Sequence, residues 1–139
     1  MPAFFPWKDD YSVGIPRLDI QHKQLIGAVN RLAQAVDDGH AHQSSLPDIF
    51  RDLSDYVHVH IRDEEQIMLT YSFPEVAAHQ HEHQEFIRRL DNFQKGLRER
   101  EKFLDIKVLE FLKTWLAKHM MVEDQRYAAY LKSKGIHFP

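Results

Sequence analysis

Four stretches of this sequence repeat apolar residues every three or four positions, and each stripe also carries histidine on its apolar side. A fold that buries these stripes must bury imidazoles with them. The first stripe is Leu18, Leu25, Ile26, Val29, Leu32, Ala33 and Val36, and it contains His22. The second is Leu46, Ile49, Phe50, Leu53, Tyr56, Val57, Ile67 and Met68, with His60 and Glu64 between its halves. The third is Val76, Phe86, Ile87, Leu90, Phe93 and Leu97, with His79 and His83. The fourth is Val108, Leu109, Leu112, Trp115, Leu116, Met120, Tyr127 and Leu131, with His119. Spacings of three and four place residues on one face of an α-helix.

Breaker residues divide these stripes. Pro2, Pro6, Gly14 and Pro16 mark an N-terminal extended arm over about 1–16. A first helix is predicted over about 17–38, ended by Asp37, Asp38 and Gly39, with a polar loop to Ser44. Ser44 or Ser45 caps the second helix, and Pro47 is tolerated in its first turn. Thr70 to Pro74 turns the chain, and Ser72, Pro74 and Glu75 read as a capping box for the third helix. Arg98 to Lys102 is the next connection, and Gly135 closes the fourth helix. No alternating strand pattern and no fixed repeat is visible. The expected fold is all-α: one domain over 1–139, an antiparallel up-down-up-down four-helix bundle over about 17–135.

Composition narrows the function classes. The 139 residues suffice for one real core, and a net charge of -3 with no arginine-rich run gives no reason to expect nucleic acid. No apolar run has the length of a membrane span, and the N-terminus lacks the pattern of a secretory signal. Cysteine is absent, which removes disulfides, thiolate metal sites and thiol chemistry, and suits a reducing, cytoplasmic setting. Histidine, by contrast, occurs ten times.

The helical repeat sorts these ten. His22 lies between Leu18 and Leu25; His60 and Glu64 are four apart, as are His79 and His83; His119 continues Leu112, Trp115 and Leu116. His58 and His81 lie about 200° round their helices from an inward histidine and are expected to face solvent. His40, His42 and His137 fall in a loop or the tail. A single inward histidine is ordinarily a bonded core residue. Five with a glutamate are another matter, because each unpaired buried polar group costs roughly 2–7 kcal/mol. The whole stability of a domain is only about 5–15 kcal/mol. Metal ions satisfy ring nitrogens and carboxylates together. A second carboxylate is expected after His119, and periodicity does not choose it: Glu123 at four residues fits the repeat, whereas Asp124 at five is about 140° off the stripe.

The pieces Asp19-Ile-Gln-His22, His60-Ile-Arg-Asp-Glu64-Glu65, His79-x-x-x-His83 and Trp115-Leu-Ala-Lys-His119, with Asp124 five residues later, resemble the hemerythrins over nearly the whole chain. With its early Trp7, the chain is most similar to the bacterial single-domain type. The resemblance favours Asp124 over Glu123. It implies two non-heme iron ions, oxo- or hydroxo-bridged: one held by His79, His83 and His119, the other by His22 and His60 with a position left open. Glu64 and Asp124 would bridge them. It also implies reversible binding of dioxygen, for transport, storage or delivery to an oxygen-consuming enzyme, and not an enzymatic reaction. A monomer is compatible with this reading, and the sequence does not fix the oligomeric state. Leu25, Ile26, Trp115, Leu116 and Met120 flank the ligands and are candidates for the oxygen pocket; each also serves as plain core packing.

Three positions depart from the family pattern without removing a ligand. Ile61 stands where phenylalanine is usual, Phe73-Pro74 replaces Tyr-Pro, and Met120 stands where a branched aliphatic residue is common. Three rival readings make different demands on the sequence. A ferritin-like oxidase needs Glu-x-x-His pairs, and the chain has none. A zinc hydrolase of the His-Glu-x-x-His type lacks its motif. An oxygen, redox or nitric oxide sensor shares the site but ordinarily needs an output domain, for which no segment is expected here.

Overall fold

The computed structural model describes residues 3–38, 46–98 and 106–138. Helix α1 spans Pro16–Asp37, α2 Leu46–Thr70, α3 Val76–Arg98 and α4 Ile106–Lys118; a π-helical turn, His119–Glu123, then leads into α5, Asp124–Ser133. No strand occurs among the described residues. Helix α1 packs on α2, α2 on α3 and α1 on α4. Phe86 of α3 stacks on Trp115 of α4 at 3.9 Å between ring centroids, which closes the ring of four. The fold is thus the expected all-α four-helix bundle. The expected caps Ser44 and Ser45, the loop histidines His40 and His42, and the Glu99–Lys102 part of the charged connection lie outside the described residues.

Local chemistry explains the boundaries. Pro16 opens α1, where its missing N–H costs nothing. Asp19, one turn in, accepts from Ser12 Oγ (2.6 Å) and from the Val13 N–H (2.8 Å), and so ties the arm to the helix start. Farther out, the arm is pinned by Phe5, fully buried, whose N–H and carbonyl pair with the Asn30 side chain (2.8 and 3.0 Å).

Helix α2 ends differently from the expectation. Ser72 is not an N-cap. Its φ of +58° is left-handed, whereas an N-cap is extended. Its N–H reaches Leu69 O (3.2 Å) and the Phe73 N–H reaches Met68 O (2.9 Å), the bonding pattern of a Schellman motif that closes α2. Gly135 and Ile136 close α5 in the same way, with Ile136 N–H on Leu131 O (3.0 Å).

The core is divided. One apolar cluster gathers Leu25, Val29, Leu53, Val57, Ile61, Phe86, Leu90, Leu112, Leu116 and Met120 with the arm's Phe5 and Tyr11. A second gathers Val13, Ile15, Leu18, Met68, Phe73, Tyr127 and Leu131. Between them each helix contributes its polar residues: His22 between Leu18 and Leu25, Glu64 between Ile61 and Met68, Asp124 between Met120 and Tyr127. A polar layer therefore crosses the bundle, walled by apolar side chains on both sides.

Candidate metal centre

The polar layer is made of His22 on α1, His60 and Glu64 on α2, His79 and His83 on α3, His119 at the start of the π turn and Asp124 just after it. All seven are buried, and His22, Glu64 and Asp124 have no measurable exposure. Two four-residue groups within it can each hold a metal ion: Glu64, His79, His83 and His119 in one, and His22, His60, Glu64 and Asp124 in the other.

The two carboxylates divide their oxygens between these groups. Glu64 Oε1 lies 2.7 Å from His79 Nε2, 3.0 Å from His83 Nε2 and 3.2 Å from His119 Nε2, while Oε2 lies 2.9 Å from His60 Nε2. Asp124 does likewise. Its Oδ1 faces His119 Nε2 (2.9 Å) and His79 Nε2 (3.2 Å), and its Oδ2 faces His22 Nε2 (3.1 Å). One oxygen of each carboxylate thus belongs to the three-histidine side, and the other to the two-histidine side. Tyr127 donates its hydroxyl to Glu64 Oε2 (3.1 Å) and fixes the rotation of that carboxylate.

These contacts do not satisfy the groups that make them. Both oxygens of Asp124 lie near ring nitrogens, yet neither is aligned to accept a hydrogen bond, and the Nδ1 atoms of His22 and His119 have no partner. His22 and His60 approach Nε2 to Nε2 at 3.1 Å, as do His83 and His119. Two ligands about 2.1 Å from one ion at right angles stand about 3.0 Å apart, which is the spacing observed. The donor set fits a pair of cations better than it fits itself.

Electrostatics carry the same sign. Burial lowers the proton affinity of the rings, but the facing Asp124 and Glu64 outweigh it at His22 and at His79, each raised to about 9. His119 is held well above the usual imidazole range against burial, chiefly by Asp124. At His60 burial prevails over Glu64 and the value falls. Burial pushes both carboxylates up, yet both end below their usual range. His60 and His119 hold Glu64 down, and His119 and His22 hold Asp124 down against the neighbouring Glu64. Without cations this layer stores protons in their place.

The far ring nitrogens of two histidines are tied to the protein. His60 Nδ1 meets Gln21 Oε1 at 2.9 Å; Gln21 Nε2 donates to Asp63 Oδ2 (2.7 Å), which also pairs with the exposed Arg17 (2.9 Å). His83 Nδ1 meets Glu65 Oε2 at 2.9 Å. On the last helix the Trp115 indole stacks on the His119 ring, 4.8 Å between centroids with planes 13° apart.

A cavity of about 10 Å³, room for about one water-sized molecule, touches the layer. Its polar lining is His22, His60, His83 and His119; its apolar lining is Leu25, Val57, Ile61, Phe86, Trp115, Leu116 and Met120. Four of the five residues named from sequence as pocket candidates line it. Ile26 does not, being buried in the first core cluster. Val57, Ile61 and Phe86 were not among the pocket candidates. Only the approach of α2 and α3 places them there.

A family model described as hemerythrin HHE cation binding domain matches residues 13–131. The chain belongs to the hemerythrin family. Among hemerythrins it is similar to a bacteriohemerythrin of Pseudomonas aeruginosa, 30% identical over 125 residues, which cover 90% of this chain and 80% of the relative. A bacteriohemerythrin of Stenotrophomonas maltophilia is 29% identical over 131 residues, covering 94% of this chain and 84% of that one. A solved wild-type hemerythrin superposes with a TM-score of 0.85 at 26% identity, covering 91% of this chain and 97% of that one.

In this hemerythrin the π turn decides between the two carboxylates that the helical repeat left open. The Asp124 N–H bonds to His119 O, five residues back, so the turn is wider than an α-turn and Asp124 enters the layer. Glu123 instead stays outside the layer, half-buried, and pairs with the exposed Arg126 at 3.3 Å. Met120 O is met by Gln125 Nε2 (3.1 Å), which also reaches the arm carbonyls of Ser12 and Asp10 (3.0 and 3.2 Å). His58, His81 and His137 are exposed, and His58 Nδ1 bonds only the carbonyl of Ser54 (2.8 Å). Gln21, Glu65, Asp63 and Tyr127 carry roles that sequence reasoning missed. The first three directly adjoin a ligand-type residue in the chain, and that adjacency is the signal that could have found them.

Proposed function

We propose that this hemerythrin binds dioxygen reversibly at two non-heme iron ions, in the service of oxygen transport, storage or delivery to an oxygen-using enzyme. The reading rests on one observation above the others: Glu64 and Asp124 each turn one oxygen to three histidines and the other to two. Such a set would hold one ion with His79, His83 and His119 and a second with His22 and His60, both carboxylates serving each, so the second ion would have one protein donor fewer. Imidazole-rich donors suit iron that changes oxidation state.

The iron pair supplies the electrons by which dioxygen is held. The chain supplies everything else. Leu25, Val57, Ile61, Phe86, Leu116 and Met120 form the apolar side of a space for about one small molecule beside the ring nitrogens, and limit the water that reaches what binds there. Tyr127, whose phenol burial and the two carboxylates hold well above its usual range, keeps its proton on Glu64 and does not release it into the site. Gln21 and Glu65 hold the rings of His60 and His83 in one tautomer, with the Nε2 lone pair turned inward.

No helix among the described residues is long and apolar enough to cross a membrane. We place the protein in the cytoplasm, which a chain without cysteine suits. The test is an oxygen difference spectrum on protein loaded with ferrous iron under argon. A visible band that appears in air, leaves under argon and returns, with two iron ions per chain by metal analysis, is the expected result. One zinc per chain, or no oxygen-dependent band, overturns the reading.

A further inference from the structure

Met120 is one of three methionines among the described residues, and their surroundings differ sharply. Met120 is 1% exposed and lines the cavity beside His22, His60, His83 and His119. Met121, its neighbour in the chain, is 44% exposed and points away from that cavity. Met68 is as buried as Met120 but sits in the second apolar cluster with Leu18, Phe73 and Tyr127, and does not line the cavity. One thioether therefore lines the same cavity as the ligand nitrogens, one is partly open to solvent, and one packs in an apolar cluster away from the cavity.

We propose that Met120 is an oxidative modification site, whose sulfur takes up hydrogen peroxide formed in the cavity before the peroxide escapes. The inference rests on the oxygen-binding reading for the source of the peroxide. An iron pair held there would supply the two electrons that, with two protons, convert dioxygen to hydrogen peroxide, and would itself end ferric. In the second step a lone pair of the Met120 sulfur attacks one peroxide oxygen. The O–O bond breaks, an S–O bond forms, and the other oxygen leaves as water with both protons. Sulfur is oxidised by two electrons and peroxide is reduced by two, so no further reagent is needed.

The geometry favours this over escape. The cavity has room for about one water-sized molecule and is lined by side chains of four helices, Met120 among them, so a peroxide formed there starts beside the thioether. The consequence is local: a sulfoxide is polar and bulkier than a thioether, so it brings a strong acceptor into the space beside the ring nitrogens and weakens oxygen binding there. Burial at 1% also means that the sulfoxide forms by reagent made inside and is spared by dilute reagent outside.

The experiment cycles iron-loaded protein between argon and air with catalase in the solution, then reads +16 Da on the Met120 and Met121 sulfurs by tandem mass spectrometry. Sulfoxide at Met120 exceeding that at Met121 by about tenfold or more is expected, since a reagent made in contact with its target acts at high effective concentration. Chelator-stripped protein given dilute hydrogen peroxide should reverse the order, Met121 first. Met120→Leu should release more free peroxide per cycle, read by a peroxidase dye assay without catalase. Greater oxidation at Met121 in the cycled protein, or an unmodified Met120, overturns the proposal. An oxygen difference spectrum on the same cycled protein separates the two readings: Met120 sulfoxide formed by cycling without a reversible band leaves the oxidation site standing and sinks reversible oxygen binding, whereas a reversible band with Met120 unmodified sinks the oxidation site alone.

Discussion

Asp124 shares a face with His119 although five residues separate them, and its Oδ1 lies 2.9 Å from His119 Nε2. An α-helix would have set them about 140° apart. The π turn over His119–Glu123 removes that angle and gives the layer its second two-sided carboxylate.

The first prediction follows from that turn. Asp124→Ala should lose at least one metal ion per chain, whereas Glu123→Ala removes a pair with Arg126 that lies outside the layer and should keep both ions. Deleting Val122, which is exposed, shortens the spacing to the four residues of an α-turn and should keep metal as well. Iron per chain after gel filtration reads all three. Loss of iron in Glu123→Ala with retention in Asp124→Ala would overturn the bridging role of Asp124.

Metal binding should release protons. In protein stripped by chelator, His22 and His79 stand at about 9 and His119 above its usual range, so all three are protonated at pH 7. Each must give up a proton to bind. Affinity for ferrous iron should rise from pH 6.5 to about 9, with more than one proton released per chain at pH 7, measured by titration calorimetry in buffers of different ionisation heat. The stripped chain moves the other way. A raised folded value gives stability that is complete below the unfolded value of about 6.5 and is lost as pH rises through about 9. Urea midpoints of the stripped chain should therefore fall over that interval.

Gln21 and Asp63 should act on metal affinity through His60. Gln21→Ala leaves His60 Nδ1 without its acceptor and frees the ring to rotate, and a loss of about 10–100-fold in affinity is expected. Asp63→Ala should act in the same direction by releasing Gln21. Arg17→Ala removes only the exposed partner of the buried Asp63, which keeps its bond from Gln21, and should lower affinity less than Asp63→Ala does. Competition against a chelator of known affinity checks the three; equal affinity in Gln21→Ala and wild type would remove the positioning role.

What the sequence made legible follows from what a helical repeat encodes. His60 with Glu64, and His79 with His83, are four apart on regular helix, and the structure brings both pairs into the layer. Asp124 was ambiguous because the repeat assumes a regular helix and the helix there is not regular. The cavity lining was half legible. Leu25, Leu116 and Met120 sit beside ligands along their own helices, but Val57, Ile61 and Phe86 enter only through the approach of neighbouring helices. Ser72 was misread because Ser-x-Pro-Glu composition suits a cap, while the left-handed turn that closes α2 leaves its trace only in backbone angles.

Ser72 itself gives a stability prediction. A non-glycine residue in the left-handed region costs about 1–2 kcal/mol, and glycine escapes most of it. Ser72→Gly should raise stability by up to about 1 kcal/mol, the larger chain entropy of glycine offsetting part of the gain. Gly135→Ala, at φ +71°, should lower it by a similar amount. Urea unfolding with unchanged m-value reads both, and a destabilised Ser72→Gly would show that its side chain holds something the backbone does not.

Phe86 links stability to the life of bound oxygen. It is 1% exposed, lines the cavity and stacks on Trp115, which in turn stacks on His119. Phe86→Ala should cost about 3–5 kcal/mol by the cavity it leaves. That space adjoins His83 and His119, so the enlarged pocket has polar groups to hold water. Water beside the site supplies protons and displaces what is bound. The variant should therefore load iron normally, show the oxygen-dependent band, and lose it irreversibly several times faster than wild type in air. Phe86→Leu, which restores most of the volume but not the ring stack, separates the two effects: a band as durable as wild type assigns the protection to volume, and a short-lived one assigns it to the Phe86–Trp115–His119 stack.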